Sequence, residues 1–254
     1  MSQAATKVEK KKTARSEFVD TIVVIVEALI IAVLFRTFLY QPFSIPTGSM
    51  QSTLMIGDYF VASKFSYGYG KYSFVVPLPF NGRLFGSAPK QGDVVVFHNE
   101  VTNEDYIKRV IGLPGDKVQM KQGRLYINGT MVERELVGDA VDRDSKYRDV
   151  PVKVYRETLP SGVTHTIQEI SDDQQLDNTA EYVVPEGHYF MMGDNRDRSQ
   201  DSRVLSAVGY VPADNLIGKA EARFFSVKDN RAPWALWEWP ETLRLDRMFQ
   251  SVYD

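Results

Sequence analysis

The chain has 254 residues, with 30 Lys and Arg against 33 Asp and Glu and a formal net charge of -3 at pH 7. That length allows one moderate domain or two small ones, and the charge balance argues against a general nucleic-acid binder. Cysteine is absent, which excludes disulfides, zinc–thiolate sites and a cysteine nucleophile in any compartment.

In chain order, a basic tail over residues 1–17, "KVEKKKTAR" within it, precedes "FVDTIVVIVEALIIAVLFRTFLY" at 18–40. As a helix that stretch runs roughly 35 Å, enough to cross a hydrocarbon core of about 30 Å. Asp20 and Arg36 lie near its ends, where they reach headgroups or water. Glu27 lies well inside, where a charged carboxylate costs roughly 2.5–3.5 kcal/mol. Lys7, Lys10, Lys11, Lys12 and Arg15 precede the segment and Arg36 alone follows closely, which orients the tail to the cytoplasm. No small-residue cleavage site appears in the following "FLYQPFSIP", so the segment reads as an uncleaved single-pass anchor.

The remaining 41–254 form the body, and its signals are mostly β. "DYFVASKF", "GDVVVFHN" and "DYIKRVIGLPGD" read as strands bounded by turn residues. "RLYINGTMVERE" places Asn128-Gly129 between two strand-like runs, a strong hairpin signal. "VKVYRETLPSGVTHTIQEI" predicts a second hairpin turning at Pro160-Ser161-Gly162, and "EYVVPEGHYFMMGDN" and "IGKAEARFFSV" supply further strands. Polar, acidic stretches bracket the second hairpin and mark 136–180 as a peripheral insertion. The Gly-, Pro- and aromatic-rich "YGYGKYSFVVPLPFNGRLFGSAPK" is either a self-packed excursion or an apolar surface that meets lipid. In the Trp-rich end, 228–254, Pro240 can open a helix with Leu245, Met248, Phe249 and Val252 at i, i+3, i+4 and i+7. The fold class is therefore mainly β, in antiparallel sheets, behind one transmembrane helix.

Three stretches carry candidate chemistry. "IPTGSMQSTL" packs Thr47, Ser49, Ser52 and Thr53 around Gly48, but lacks the G-x-S-x-G elbow because position 51 is Gln. A serine hydroxyl needs a base. His98, His165 and His188 match no metal-ligand spacing, so no metal is expected, and nothing in their contexts singles one out as that base. A lysine can serve if burial lowers its pKa by about three units. In "DYIKRVIGLPG" the strand period puts Tyr106, Lys108 and Val110 on one face and Ile107, Arg109 and Ile111 on the other. Periodicity does not choose between Lys108 and Arg109, but only a lysine can be made neutral. "GDNRDRSQDSR" at 193–203 reads as a hydrogen-bonded turn in which Asp201 and Arg203 can pair and Asn195 can take a left-handed backbone.

An anchor followed by "IPTGSM", "STLMIGDYFVASKFSYG", "GDVVVF", "YIKRVIGLPGD" and "GDNRDRSQDSR", in that order, resembles the bacterial type I signal peptidases. The resemblance spans about 18–227, with 136–180 weakly matched. It implies a Ser/Lys-dyad endopeptidase on a largely β fold that cuts signal peptides from exported preproteins, with no cofactor. Carried over by motif, Ser49 is the nucleophile and Lys108 the general base. Thr47 and the Ser49 N–H form the oxyanion hole, and Ser199 hydrogen-bonds and orients the lysine. Asp201 and Arg203 match a structural ion pair. Phe43, Ile45, Tyr106 and Ile107 match the lining of pockets for small residues at −1 and −3. The implied setting is the bacterial inner membrane, with the catalytic body periplasmic. The implied partners are preproteins and membrane lipid, with no nucleic acid, and the chain is expected to act as a monomer. Two positions depart from the pattern: Ser52 replaces the usual proline, and Arg198 a common asparagine.

Overall fold

The computed structural model describes residues 14–74, 79–143, 148–228 and 231–253. The apolar residues of helix α1 (Ala14–Phe38) are spread around its circumference rather than along one face, and most of them are exposed. Its span Glu17–Phe38 has mean hydropathy 2.7 with none of it buried, and is long and apolar enough to cross a membrane. Only the C-terminal end meets the body. There Tyr69 Oη donates to the Phe38 carbonyl at 2.7 Å, and the two rings meet edge to face at 5.7 Å.

The chain leaves α1 directly into β1 (Tyr40–Ser44) and continues through β2 (Asp58–Ser63), β3 (Val94–Asn99) and β4 (Glu104–Gly112). Next come β5 (Lys117–Lys121), β6 (Arg124–Ile127), β7 (Thr130–Met131), β8 (Glu133–Arg143), β9 (Asp149–Thr158) and β10 (Thr164–Glu169). Then follow β11 (Tyr182–Val183), β12 (His188–Met192), β13 (Val211–Pro212), β14 (Leu216–Ser226), the single turn α2 (Trp239–Thr242) and β15 (Gln250–Ser251). The main sheet has the order β1-β2-β14-β3-β4-β12-β13, with β15 beside β14, and every pairing is antiparallel. A second sheet runs β11-β5-β6-β7 and a third β10-β9-β8.

Ile45, Met50, Leu54, Phe60, Val96 and Ile217 form one apolar core beneath the turn that carries Ser49. A second core joins Ile111, Val118, Leu125, Val184 and Phe190 between the main and four-stranded sheets. Burying each such side chain contributes about 1.5–3 kcal/mol, enough to hold β1, β2 and β4 in register around the site. The β6–β7 hairpin turns at Asn128 (φ 53°) and Gly129 (φ 80°), the paired left-handed geometry of a two-residue type I′ turn. The second hairpin pairs β9 with β10 around Pro160-Ser161-Gly162.

The 136–180 segment does not stand apart from the rest, although the sequence alone makes it peripheral. Its acidic beginning is strand, inside β8, and Asp142, Glu157, His165 and Gln168 are buried on the side that meets residues 193–203. The loop of 67–90 is pinned by Arg83, whose guanidinium donates to the carbonyls of Tyr67, Gly68, Ala213 and Leu216. It still leaves Phe85 89 % exposed.

The helix expected after Pro240 does not extend beyond one turn. Leu243 is extended (φ -67°, ψ 137°) and bridges to Val227, and β15 joins β14. Tertiary hydrogen bonds outweigh the local periodicity. Arg244 reaches the carbonyls of Ile56 (2.7 Å) and Val227 (2.8 Å), while Arg247 pairs with buried Asp58 at 2.6 Å. Of the predicted apolar face, Val252 is buried while Leu245 and Phe249 point to solvent.

Candidate active site

Ser49 sits in a single 3-10 turn (Gly48–Met50) between β1 and β2. Met50 and Leu54 are fully buried, and the Leu54 N–H bonds the Met50 carbonyl at 2.8 Å, so the turn is rooted in the core. Ile45 and Asp58 close the loop through a backbone bond of 2.9 Å. Lys108 lies on β4, which pairs with β3 on one side and β12 on the other, and successive side chains on opposite faces, Lys108 and Arg109, are both buried. This resolves what periodicity left open: Lys108 and Arg109 are both inside, on opposite faces.

The Lys108 ammonium nitrogen lies 2.7 Å from Ser49 Oγ and 3.0 Å from the Ile107 carbonyl. Among the described residues no carboxylate lies within ion-pair distance of it. Burial pushes its pKa down to about 8, against the opposing fields of Asp201 and Asp194 and with help from Arg203. A neutral amine at that distance can accept the serine proton.

Phe43, Thr47, Ser49, Phe60, Tyr106, Ile107 and Lys108 line a cleft of about 290 Å³, with Arg198 and Gln200 also at its wall. Thr47 is exposed within it, and its side chain does not cap the turn. No described hydrogen bond uses the Ser49 backbone N–H. Ile45 is not in the wall. It is 1 % exposed and belongs to the core behind, against which Phe43 and Ile107 pack.

Residues 193–203 clamp this turn. The Asn195 N–H donates to the Ser49 carbonyl (3.1 Å), and Asn195 Nδ2 donates to the Gly48 carbonyl (3.0 Å). Asn195 does this with φ -85°, so the expected left-handed backbone is not used. Gly193 is demanded by close approach: a Cβ there would collide with both Ser199 Oγ and the Ser49 carbonyl. Asp201 and Arg203 form a fully buried fork of two 2.9 Å bonds, and the Gly193 N–H adds a third contact to Asp201 at 3.1 Å. Burial opposes ionisation of Asp201, but Arg203 and that N–H hold its pKa below the usual carboxylate range.

Ser199 is placed differently from expectation. Its Oγ is buried and does not reach Lys108 in hydrogen-bond geometry; it lies instead beside Asp201, whose carboxylate it helps to keep ionised. It packs beside Gly193 and near Asp201, while two of the Lys108 hydrogens are directed to Ser49 and Ile107.

Several residues escaped sequence reasoning. Arg109 forks onto Asp194 at 2.9 and 2.7 Å, and Thr53 donates to the same carboxylate at 2.5 Å. Thr53 thereby ties the Ser49 turn to 193–203 a second time. Arg196 forks onto Glu157 of β9. His165 of β10 lies between Glu157 (3.4 Å) and Asp194 (3.8 Å), and burial pushes its pKa down to about 4, so it is neutral near pH 7. Arg198 bonds Asp142 of β8 at 2.8 Å. The only sequence signal for these was charge density in 193–203, because their partners lie on remote strands.

The geometry defines a class first: a hydrolase site in which a serine hydroxyl faces a desolvated lysine on a β scaffold, behind an apolar helix. The family model described as signal peptidase, peptidase S26 matches residues 18–225. Signal peptidase I of Rickettsia typhi is 41% identical over 96% of this chain and 96% of its own length. That of Rickettsia akari is 39% identical over 98% and 97%. A crystal structure of a signal peptidase I from Enterococcus faecalis is 29% identical, covering 52% of this chain and 97% of the other, at a TM-score of 0.31. The chain belongs to the signal peptidase family, peptidase S26. It is a serine endopeptidase of the type I signal peptidase kind, anchored to a membrane and acting on preproteins that bear signal peptides.

Proposed function

We propose that Ser49 is the nucleophile and Lys108 the neutral general base of this peptidase. The carrying observation is the 2.7 Å contact between Lys108 Nζ and Ser49 Oγ, in a site where no carboxylate holds the lysine charged. As Ser49 Oγ bonds to the scissile carbonyl carbon, its proton passes to Lys108. Lys108 then delivers it to the leaving amine as the C–N bond breaks. Water, deprotonated by Lys108, then attacks the acyl carbon; as the ester C–O bond breaks, Lys108 returns the proton to Ser49 Oγ and the new carboxyl end is released.

The Ser49 N–H and the Thr47 hydroxyl stabilise the oxyanion, each such donor being worth about 10²–10³ in rate. Asp201 and Arg203 hold 193–203 in place. Phe43, Tyr106 and Ile107 restrict −1 and −3 to small side chains, with Ile45 setting the depth from behind. An extended substrate can pair along the strand edge near Ser49. The basic tail places the N-terminus in the cytoplasm and the body on the periplasmic face of the inner membrane. There α1 keeps the cleft near the bilayer that holds the substrate's own apolar segment, which raises effective concentration. Exposed Phe85, Trp234 and Trp237 suit contact with lipid.

The test is cleavage of a preprotein with Ala at −1 and −3 by the full chain in detergent. Ser49→Ala and Lys108→Ala are each expected to lose about 10³-fold or more while staying folded. Because only the neutral amine is active, wild-type kcat/KM should rise with pH through about 8. Full activity in Lys108→Ala, or a flat profile, overturns the assignment.

A further inference from the structure

The nucleophile turn is held by one residue at two successive carbonyls. Asn195 gives its backbone N–H to Ser49 O and one hydrogen of Nδ2 to Gly48 O. The other hydrogen of Nδ2 goes to Asp142 Oδ2 at 3.1 Å, so both amide hydrogens are committed. Asp142 is 4 % exposed, comes from β8, and is itself met by Arg198 at 2.8 Å from the cleft wall. In a trans peptide the C=O and the following N–H point in opposite directions. The Gly48–Ser49 bond is trans. A donor seated on the Gly48 oxygen therefore aims the Ser49 N–H the other way. That N–H makes no described hydrogen bond, and Ser49 lines the cleft.

We propose that Asn195, steered by Asp142 of the inserted sheet, is a positioning residue that orients the Gly48–Ser49 peptide so that the Ser49 N–H faces the substrate carbonyl oxygen. This rests on the assignment of Ser49 as nucleophile. Asn195 touches neither substrate nor reacting atoms. It acts by removing the rotation that the peptide plane would otherwise need at the moment the oxyanion forms, and its hydrogen bond polarises the peptide in the direction that strengthens the N–H as a donor. A remote insertion thereby becomes part of the catalytic architecture through a single carboxylate.

A plain staple and an aimed donor differ in kinetics, because a group felt only in the transition state lowers kcat without raising KM. The full chain in detergent would be compared as wild type, Asn195→Ala, Asp142→Ala, Asp142→Asn, Ser49→Ala and Lys108→Ala on one preprotein. Asn195→Ala keeps the backbone bond to Ser49 and is expected to lower kcat by about 10–100-fold, with KM within about two-fold. The midpoint of the acidic limb should stay in place, because Lys108 is not touched. Asp142→Ala should lower kcat by about 3–10-fold, and Asp142→Asn, which keeps an acceptor for Nδ2, should recover most of it.

A kcat for Asn195→Ala within two-fold of wild type, with Ser49→Ala inactive, overturns the positioning role and leaves the dyad standing. A loss confined to KM does the same. Turnover by Ser49→Ala or Lys108→Ala instead overturns the dyad and this role with it. If Asn195→Ala does not fold, Asp142→Ala decides: unchanged kcat there overturns the proposal.

Discussion

Two buried polar regions share strand β4 and treat charge in opposite ways. On one face Lys108 meets a hydroxyl and a carbonyl but no carboxylate, and its pKa falls to about 8. On the other face, one residue along, Arg109 is locked to Asp194, and around the site Arg196 is locked to Glu157 and Arg203 to Asp201. Burial opposes charge in both places. Where a fork-shaped partner is present the charge survives and organises the backbone around it. Where none is present, burial lowers the pKa of the group toward neutrality. The two regions are coupled, since Asp194 also receives Thr53, close after the Ser49 turn.

The comparison breaks most visibly if the free cation is made permanent. Lys108→Arg keeps a positive charge at the cleft but cannot deprotonate, so preprotein cleavage should fall by about 10³-fold or more. Retention of a tenth of wild-type activity in a fixed-time assay would show that the amine's neutrality is irrelevant.

On the paired face the largest effect should come from stranding a charge. Asp194→Ala leaves the Arg109 guanidinium buried with its main partner gone, and should cost about 3–5 kcal/mol in urea unfolding. Replacing both members by apolar residues, Arg109→Met with Asp194→Leu, should cost much less. Equal losses in the single and double variants would deny that pairing is what keeps this charge inside.

The unpaired lysine should instead be a stability burden. Its folded pKa is about 8, below the ordinary lysine value, so between roughly 8 and 10.4 the unfolded chain binds a proton that the folded chain does not. Wild-type stability therefore rises with pH through that window, and the penalty is fully present below it. Lys108→Met should stabilise the fold by up to about 3 kcal/mol at pH 7, with the gain fading above pH 8. A gain that is the same at pH 7 and pH 10.5 would assign the effect to packing rather than to desolvation of charge.

How much was legible depended on how local each signal was. Asn128-Gly129 specifies its own turn, because two left-handed residues in succession have few other uses. The β character of "DYIKRVIG" needed only its composition. By contrast, the spacing of Leu245, Met248, Phe249 and Val252 was helical and misleading, because Asp58 and the Ile56 carbonyl draw Arg247 and Arg244 into another path. Asn195 is a residue type suited to left-handed turns, yet it commits both backbone and side chain to the Gly48–Ser49 turn. Ile45 was expected in the cleft wall and lies behind it, and Ser199 was expected on the lysine and lies beside Gly193.

By itself the sequence determined the apolar helix, the antiparallel β body and the motifs that carry the family, because each depends on residues close together in the chain. It also nominated Ser49 and Lys108, through the resemblance of "IPTGSM" and "YIKRVIGLPGD" to motifs of the family. Only the tertiary structure decided that Lys108 has no carboxylate partner among the described residues while Arg109 has one, and that a sheet from 133–169 supplies Asp142 and Glu157 to the site. Those outcomes depend on which charges meet after folding. A pairing between residues 39 or 53 positions apart leaves no trace in local pattern.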